Sequence, residues 1–419
     1  MKRVLMIAFH FPPVSGSSGV QRTLRFAQSL PGLGWQPTVI SAHPRSYERT
    51  SPDLLRDIPE TVNVVRAFSF DAVRTLSVGG RYPGFLARPD RWWPWRIGAL
   101  VAGLKLLREQ RFDVIWSTYP IPTAHLVAAA LHERSGVPWV ADFRDPMAQD
   151  GYPEDPKTWR AFKAIEERTV ARAARSVFTT SGAAQAYRER YHDLPGDRFV
   201  VIENGYDEQT FASARRQGTH DEALPPGRVT LLHSGIVYPS ERDPTHLLEA
   251  LAKLKVDGTI DRHNFCVRFR ASEHDGLIRR LAEASDVMDL VELLPPVPYG
   301  EALGEMLRAD ALLVLQASNC NAQIPAKLYE YLRAERPILA LTDPTGDTAG
   351  VVLRAGIPAI ASLDSAADIA ALLARFVDQP ERRRDWIAGP ESVRLASRQA
   401  RAVELASLLD EVSARVDLS

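Results

Sequence analysis

Cysteine is nearly absent. Cys266 and Cys320 are the only two in 419 residues, far apart and without CxxC spacing. That excludes a disulfide framework and a cysteine zinc site, and it fits a reducing cytoplasm. No apolar run reaches the roughly 18 residues that a membrane span needs. The opening MKRVLMIAFHF mimics a signal peptide, but PPVSGSSG follows its short apolar run where a small-residue cleavage site would stand. It reads as a buried first strand. An excess of either charge is also missing: the net charge is −1, so nothing suggests nucleic-acid binding. What remains is the composition of a soluble globular protein, 45% apolar and 25% charged. The chain is too long for one ordinary core, so two or three domains are expected.

Strand-like runs alternate with helical patterns, which argues for parallel sheets covered by helices. In the first half the strand candidates are VLMIAF, PTVIS, VNVVRA, DVIWSTY, WVADF, SVFTTS and FVVIEN. The second half restarts with RVTLLHSG and continues through FCVRFRA, VELLPP, ALLVLQA, PILALT and IPAIAS. Both halves open on a strand, a small-residue turn and a helix N-terminus, a sequence of elements suited to phosphate. The expected fold is α/β, with two Rossmann-like doubly wound domains facing each other across a cleft. An N-terminal domain is expected over 1–205, a polar Gly/Pro-rich linker over 206–227 and a second domain over 228–390. The last segment, 391–419, reads as one helical pattern crossing back to the first domain.

Several segments of the first half carry candidate chemistry. Gly16 and Gly19 precede a helix starting near Val20, in GxxG rather than GxGxxG spacing. The second strand runs into SAHPRS without an acid for a ribose hydroxyl, which counts against an NAD enzyme. The loop is either a flexible turn or a place where a ligand approaches backbone amides, with Arg22 within reach of an anion. VPWVADFRDPMAQD places Asp142, Arg144 and Asp145 just after an apolar strand. Charges there must be solvated, paired or used. The readings are a structural Arg–carboxylate pair, a substrate-facing cluster or, from the DxxD spacing, a metal. Against the metal, Arg144 competes for the carboxylates and no histidine stands nearby. His125 lies on an otherwise apolar helix and reads as a core or surface histidine. RYPGFLARPDRWWPWRIGALV mixes Trp92, Trp93 and Trp95 with Arg88, Arg91 and Arg96. Such mixtures occur at membrane interfaces and sugar platforms. The alternative is a loop that folds its tryptophans into the domain.

In the second half, LLHSGIVYPSERDP puts Gly235 after a strand and Arg242 before a helix, where a guanidinium suits a pyrophosphate. In NAQIPAKLYEYLRAERPILAL, Pro325 is the expected first helical residue, with Lys327 in the first turn. A lysine there opposes the helix dipole, unless an anion sits at that helix end. Glu330 is one turn on, so the bland reading is a surface i,i+3 pair.

Taken in order, these segments resemble the GT-B glycosyltransferases, specifically the large retaining family 4. FHFPPVSGSSGVQRTLRFAQSL resembles that family's Gly-loop and first helix. VIENGYDEQTF resembles its interdomain hinge, carried by Asn204, Gly205, Asp207 and Phe211. HSGIVYPSERDPTHLLEAL resembles its donor-phosphate segment and IPAKLYEYLRAERPILA its nucleotide-holding helix. ADFRDP matches a branch acting in bacterial surface polysaccharide assembly.

The resemblance implies that Glu330 accepts hydrogen bonds from the donor ribose and that Arg242 and Lys327 bind its pyrophosphate. Gly16, Gly19, Arg22, Gly235 and Leu328 would also lie against the donor. Asp142 or Asp145 would orient the acceptor, and Arg144 with the three tryptophans would face acceptor or membrane. It implies a UDP- or GDP-sugar donor, a glycan or lipid-linked acceptor, and no metal or other cofactor. It also implies a cytoplasmic protein, with peripheral contact at the inner face of the membrane as an extension. Two departures stand out. The acid usual eight residues before the ribose glutamate is here Ala322, and no lysine follows Arg242 before the helix. A nucleotide-sugar epimerase and a non-catalytic sugar-binding protein are the competing readings.

Overall fold

The structure is a computed structural model and describes residues 1–15, 18–77, 81–216 and 227–414. All thirteen segments expected as strands are strands, each parallel to its neighbours. The chain divides into two compact units, Met1–Glu203 with the stretch from Arg398, and Asn204–Ser397.

The first unit holds β1 (Lys2–Ile7), β2 (Trp35–Ala42), β3 (Asn63–Ala67), β4 (Val114–Thr118), β5 (Trp139–Arg144), β6 (Arg175–Phe178) and β7 (Phe199–Val201). Their order is β3-β2-β1-β4-β5-β6-β7. Strand β1 shows why the segments are apolar throughout. Val4 and Met6 enter one core while Leu5 and Ile7 enter another, because helices cover both faces of the sheet. The second unit holds β8 (Val229–Ser234), β9 (Phe265–Arg270), β10 (Val291–Leu294), β11 (Ala311–Gln316), β12 (Ile338–Thr342) and β13 (Ile360–Ala361). Their order, β10-β9-β8-β11-β12-β13, repeats the same winding. Each sheet therefore reverses its strand order once, between β1 and β4 and between β8 and β11. Ligands of such sheets bind beyond the strand C-termini at that reversal.

Two boundaries differ from the sequence reading. Within the stretch read as linker, Glu208–Arg216 is a helix, and Tyr206, Phe211 and Ala214 belong to the second unit's core. Arg333 clamps Glu208 with bonds of 2.5 and 2.6 Å. The polar face of this helix dominates its composition and hides the apolar stripe. Residues 217–226 of that stretch lie outside the described residues. The terminal segment is two helices rather than one. Pro390–Leu395 closes the second unit, and Arg398–Ala414 returns to the first. There Ala402, Leu405 and Leu409 share a core with Val4, Met6 and Leu24.

Candidate active site

In the second unit, four residues singled out by sequence come together at the reversal between β8 and β11. Gly235 follows β8 with φ 105°, a backbone that favours glycine. A Cβ there would stand 3.1 Å from the Lys327 ammonium. Lys327 opens the helix Lys327–Ala334, two residues later than expected, because Pro325 and Ala326 form the turn before it. The lysine is not a surface residue paired along its helix. It is half-buried, and its Nζ donates to Nε2 of the buried His233 at 3.0 Å. His233 Nδ1 donates to the Leu313 carbonyl at 3.0 Å, which leaves Nε2 as the acceptor. Burial and the Lys327 charge hold His233 well below its ordinary pKa, so it is neutral.

Arg242 lies on the turn before the helix Thr245–Val256. It donates to the Ile236 carbonyl at 2.8 Å, its guanidinium lies 5.1 Å from the Tyr238 ring, and its Nε has no partner. Burial and Arg242 push the Lys327 pKa down to about 7, with Glu330 acting the other way. Glu330 accepts from the Tyr299 hydroxyl. Two cations thus converge beside a neutral imidazole and one carboxylate, an arrangement that suits a dianionic ligand. The Leu328 side chain is in the core and its N–H donates to the Pro325 carbonyl. Ala322 is exposed on the loop after β11. His233, Tyr238 and Tyr299 escaped the sequence reading. The one available signal was a histidine in an otherwise apolar buried strand.

In the first unit the outcome is divided. Arg22 and Asp142, expected at the donor and at the acceptor, are bound to each other. Arg22 Nε and Nη2 donate to both Asp142 oxygens at 3.0 Å, and the remaining donors reach the Ile202 and Glu203 carbonyls. Thr118 adds a third bond to Asp142, which is fully buried. The structural-pair reading of ADFRDP is therefore correct for Asp142, though with Arg22 rather than Arg144. Asp145 is exposed beyond β5 and accepts from Thr179 at 3.4 Å. Arg144 is buried at the end of β5. Gly19 is the second residue of the helix Ser18–Ser29, and Gly16 lies outside the described residues. His125 is a core histidine, bonded to Ser117 at 2.8 Å and lowered by burial to about 3.

The tryptophans separate. Trp95 is fully buried in the core and Trp93 is half-buried. Trp92 packs on Phe9, with ring centroids 5.1 Å apart, and lines a cavity of about 250 Å³ with His10, Tyr47 and Glu48. Asp90 fastens this segment by accepting from Trp92 N and from both N and Oγ1 of Thr123. The apolar surface left outside is different: Phe68, Phe85, Ile97 and Val101 are each more than half exposed. Phe68 and Ile97 are neighbours, because at Gly98 a Cβ would fall 2.3 Å from the Phe68 carbonyl oxygen. Around them, from Arg66 to Arg108, stand eight Lys/Arg and only two acids, Asp71 and Asp90. Asp71 is fully buried and Asp90 is spent on the three bonds above.

Residues 18–205 match a family model described as a glycosyl transferase 4-like domain. The matched stretch falls almost entirely in the first unit. The chain as a whole is similar to sucrose-phosphate synthase from Thermosynechococcus elongatus, with 14% identity, a TM-score of 0.64, and 99% and 100% of the two chains covered. It is also similar to HepE of Anabaena solved with UDP-glucose, at 12% identity and TM-score 0.61, covering 98% and 99%. A third similar structure is WaaG, a glycosyltransferase involved in lipopolysaccharide biosynthesis, at 15% and 0.59, covering 97% and 99%. A search of curated proteins found no match. At these identities the likeness is one of fold, and the fold is GT-B. The family-model match ends at residue 205, so the cation cluster lies outside it, in the second unit. Among the described residues no helix is long and apolar enough to cross a membrane, and no three His, Cys, Asp or Glu are placed to hold a metal.

Proposed function

We propose that the protein is a glycosyltransferase that takes a sugar from a nucleotide-diphosphate donor held in the second unit. The observation that carries this reading is the pairing of Lys327 with neutral His233 beside Arg242. Breaking the bond from the anomeric carbon to such a donor's diphosphate adds a negative charge to a group that already carries two, so its terminal phosphate departs doubly charged. Arg242 is a fixed cation for that charge and Lys327 a second one below about pH 7, and pre-set donors of this kind stabilise it without reorganising. Glu330 takes the ribose. With Asp142 bound to Arg22, Asp145 is the carboxylate left to orient an acceptor, and the donor phosphate itself serves as base in a same-face, retaining attack. The acceptor is a glycan or lipid-linked glycan of surface polysaccharide assembly, a reading supported by the ADFRDP match. The exposed apolar and basic face around Phe68 supports peripheral contact with an anionic membrane.

The test is a thermal-shift and calorimetric screen against UDP, GDP, ADP and their sugars. One nucleotide series is expected to stabilise the wild type. Glu330→Ala is expected to weaken that series about tenfold with the fold intact, as loss of charge-assisted hydrogen bonds does. Unchanged affinity would remove Glu330 from the site. Efficient isomerisation of a nucleotide sugar without acceptor would replace the transferase reading by an epimerase.

A further inference from the structure

Six arginines are buried among the described residues: Arg22, Arg144, Arg175, Arg268, Arg270 and Arg333. Five carry a carboxylate on the guanidinium. Arg22 has Asp142 at 3.0 Å, Arg175 has Glu411 at 2.5 Å and Arg333 has Glu208 at 2.5 Å. Arg268 and Arg270 share Glu305 at 3.0 and 2.8 Å. Arg144 makes no ion pair within the described residues. Its neighbouring acids are Asp145, which is exposed, and Asp142, which Arg22 has taken. Its one bond is a long one, 3.4 Å to the Tyr119 carbonyl, and its Nε has none. A guanidinium buried in this way costs free energy unless something neutralises it.

The backbone adds to that cost. Arg144 has φ 63°, the left-handed region that L side chains rarely adopt. The ladder between β5 and β6 slips by one residue between Asp142 and Arg144. Bulges of this kind re-aim a side chain at the end of a strand, and held strain of this kind clusters at ligand sites. The place is also the right one. His10 follows β1 and Tyr119 follows β4, the two strands at the reversal, and both lie within electrostatic reach of Arg144. His10 also lines the cavity beside Trp92. Burial, then Arg144, lowers its pKa to about 4, so it adds polar atoms without a second charge.

We propose that Arg144 anchors an oxyanion carried by the acceptor, a phosphoryl or carboxylate group on a sugar or on a lipid-linked sugar. This rests on the proposed function, in which the first unit receives the acceptor. The anion supplies the counter-charge that, of the six buried arginines, only this one lacks on its guanidinium among the described residues, and the guanidinium fork fixes the direction in which the acceptor enters.

The full chain is tested by calorimetry and thermal shift with glucose 6-phosphate, glucuronate and a short-chain prenyl diphosphate, with methyl glucoside as the neutral control. At least one charged probe is expected to bind the wild type, and which one does distinguishes sugar phosphate, uronate and lipid diphosphate. Arg144→Met is expected to weaken that probe about tenfold or more while melting no lower than the wild type, because an unneutralised charge has been removed. Arg144→Lys checks the fold, keeping wild-type melting with part of the affinity. Equal binding by Arg144→Met, or no charged probe binding the wild type, overturns the proposal. Nucleotide stabilisation through Lys327 is read in the same samples. Nucleotide binding without an Arg144-dependent anion sinks this site alone. Anion binding without any nucleotide response sinks the transferase reading and leaves the site.

Discussion

The two units are wound alike, yet they treat the arginine after the first strand in opposite ways. In the first unit, Arg22 is drawn into the fold by Asp142, with both carboxylate oxygens at 3.0 Å. In the second, Arg242 meets only a carbonyl oxygen and an aromatic face, beside Lys327, which is bonded to a neutral histidine with Glu330 as the one carboxylate in reach. A buried ion pair that is complete holds structure, whereas cations gathered without matching carboxylates expect a ligand. The difference lies in the counter-charge. Motif position alone would have given Arg22 and Arg242 the same role.

The largest effect should come from breaking the complete pair. Asp142→Ala leaves Arg22 buried and uncompensated, and a loss of about 3–5 kcal/mol in unfolding free energy is expected by chemical denaturation. The double change Arg22→Met with Asp142→Leu should recover most of that loss, since neither charge is then stranded. If Asp142→Ala folded as stably as the wild type but lost acceptor turnover, the two units would no longer differ in the way described.

The next effect belongs to the incomplete cluster. Lys327→Met should weaken nucleotide-sugar binding about thirtyfold or more at pH 6. The wild type should also show a pH dependence that the variant lacks. With its pKa near 7, Lys327 loses its charge as pH rises through 7, while the diphosphate of a nucleotide sugar stays fully ionised. Affinity should therefore fall above pH 7 in the wild type and stay flat in Lys327→Met. Stability of the ligand-free protein moves the other way. The folded-state pKa lies below the unfolded value of 10.5, so the unfolded chain binds more protons between about pH 7 and 10.5. This group's contribution thus becomes more favourable as pH rises through that window. A wild-type affinity that did not change between pH 6 and 9 would place Lys327 outside the diphosphate contact.

The contrast between the units also marks what the chain discloses before it folds. The strand segments, the repeated winding and the grouping of Gly235, Arg242, Lys327 and Glu330 were legible, because apolar periodicity and the small-residue turns are local. Partners were not. Arg22 and Asp142 are 120 residues apart, and His233 and Lys327 are 94 apart, so no i,i+3 or i,i+4 rule could join them. For the same reason the bond from Lys327 to His233 could not be foreseen, and Asp142 read as a catalytic candidate. Burial was equally hidden for the tryptophans. Trp92, Trp93 and Trp95 are nearly adjacent, yet Trp95 fills the core while Trp92 lines a cavity.

The smallest effect tests which part of the first unit meets lipid. Trp95 has no exposed surface and Trp92 faces a cavity, so neither can supply much apolar area to a bilayer. Phe68, Phe85, Ile97 and Val101 can, being 54%, 65%, 60% and 67% exposed. Arg45, stacked 4.7 Å from the Phe68 ring, supplies charge for anionic headgroups, whereas Lys105, on the helix of Ile97 and Val101, is paired with Glu109 at 3.7 Å. Interfacial binding scales with buried apolar area plus about 1 kcal/mol per basic residue near the surface. Flotation with phosphatidylglycerol vesicles should fall about tenfold for Phe68→Ser with Ile97→Ser, and wild-type binding should weaken as salt is raised. Trp92→Ala alone should leave flotation nearly unchanged. The opposite ranking, with Trp92 dominant and Phe68 and Ile97 silent, would return the membrane contact to the tryptophan stretch. The exposed apolar face would then be without a lipid role.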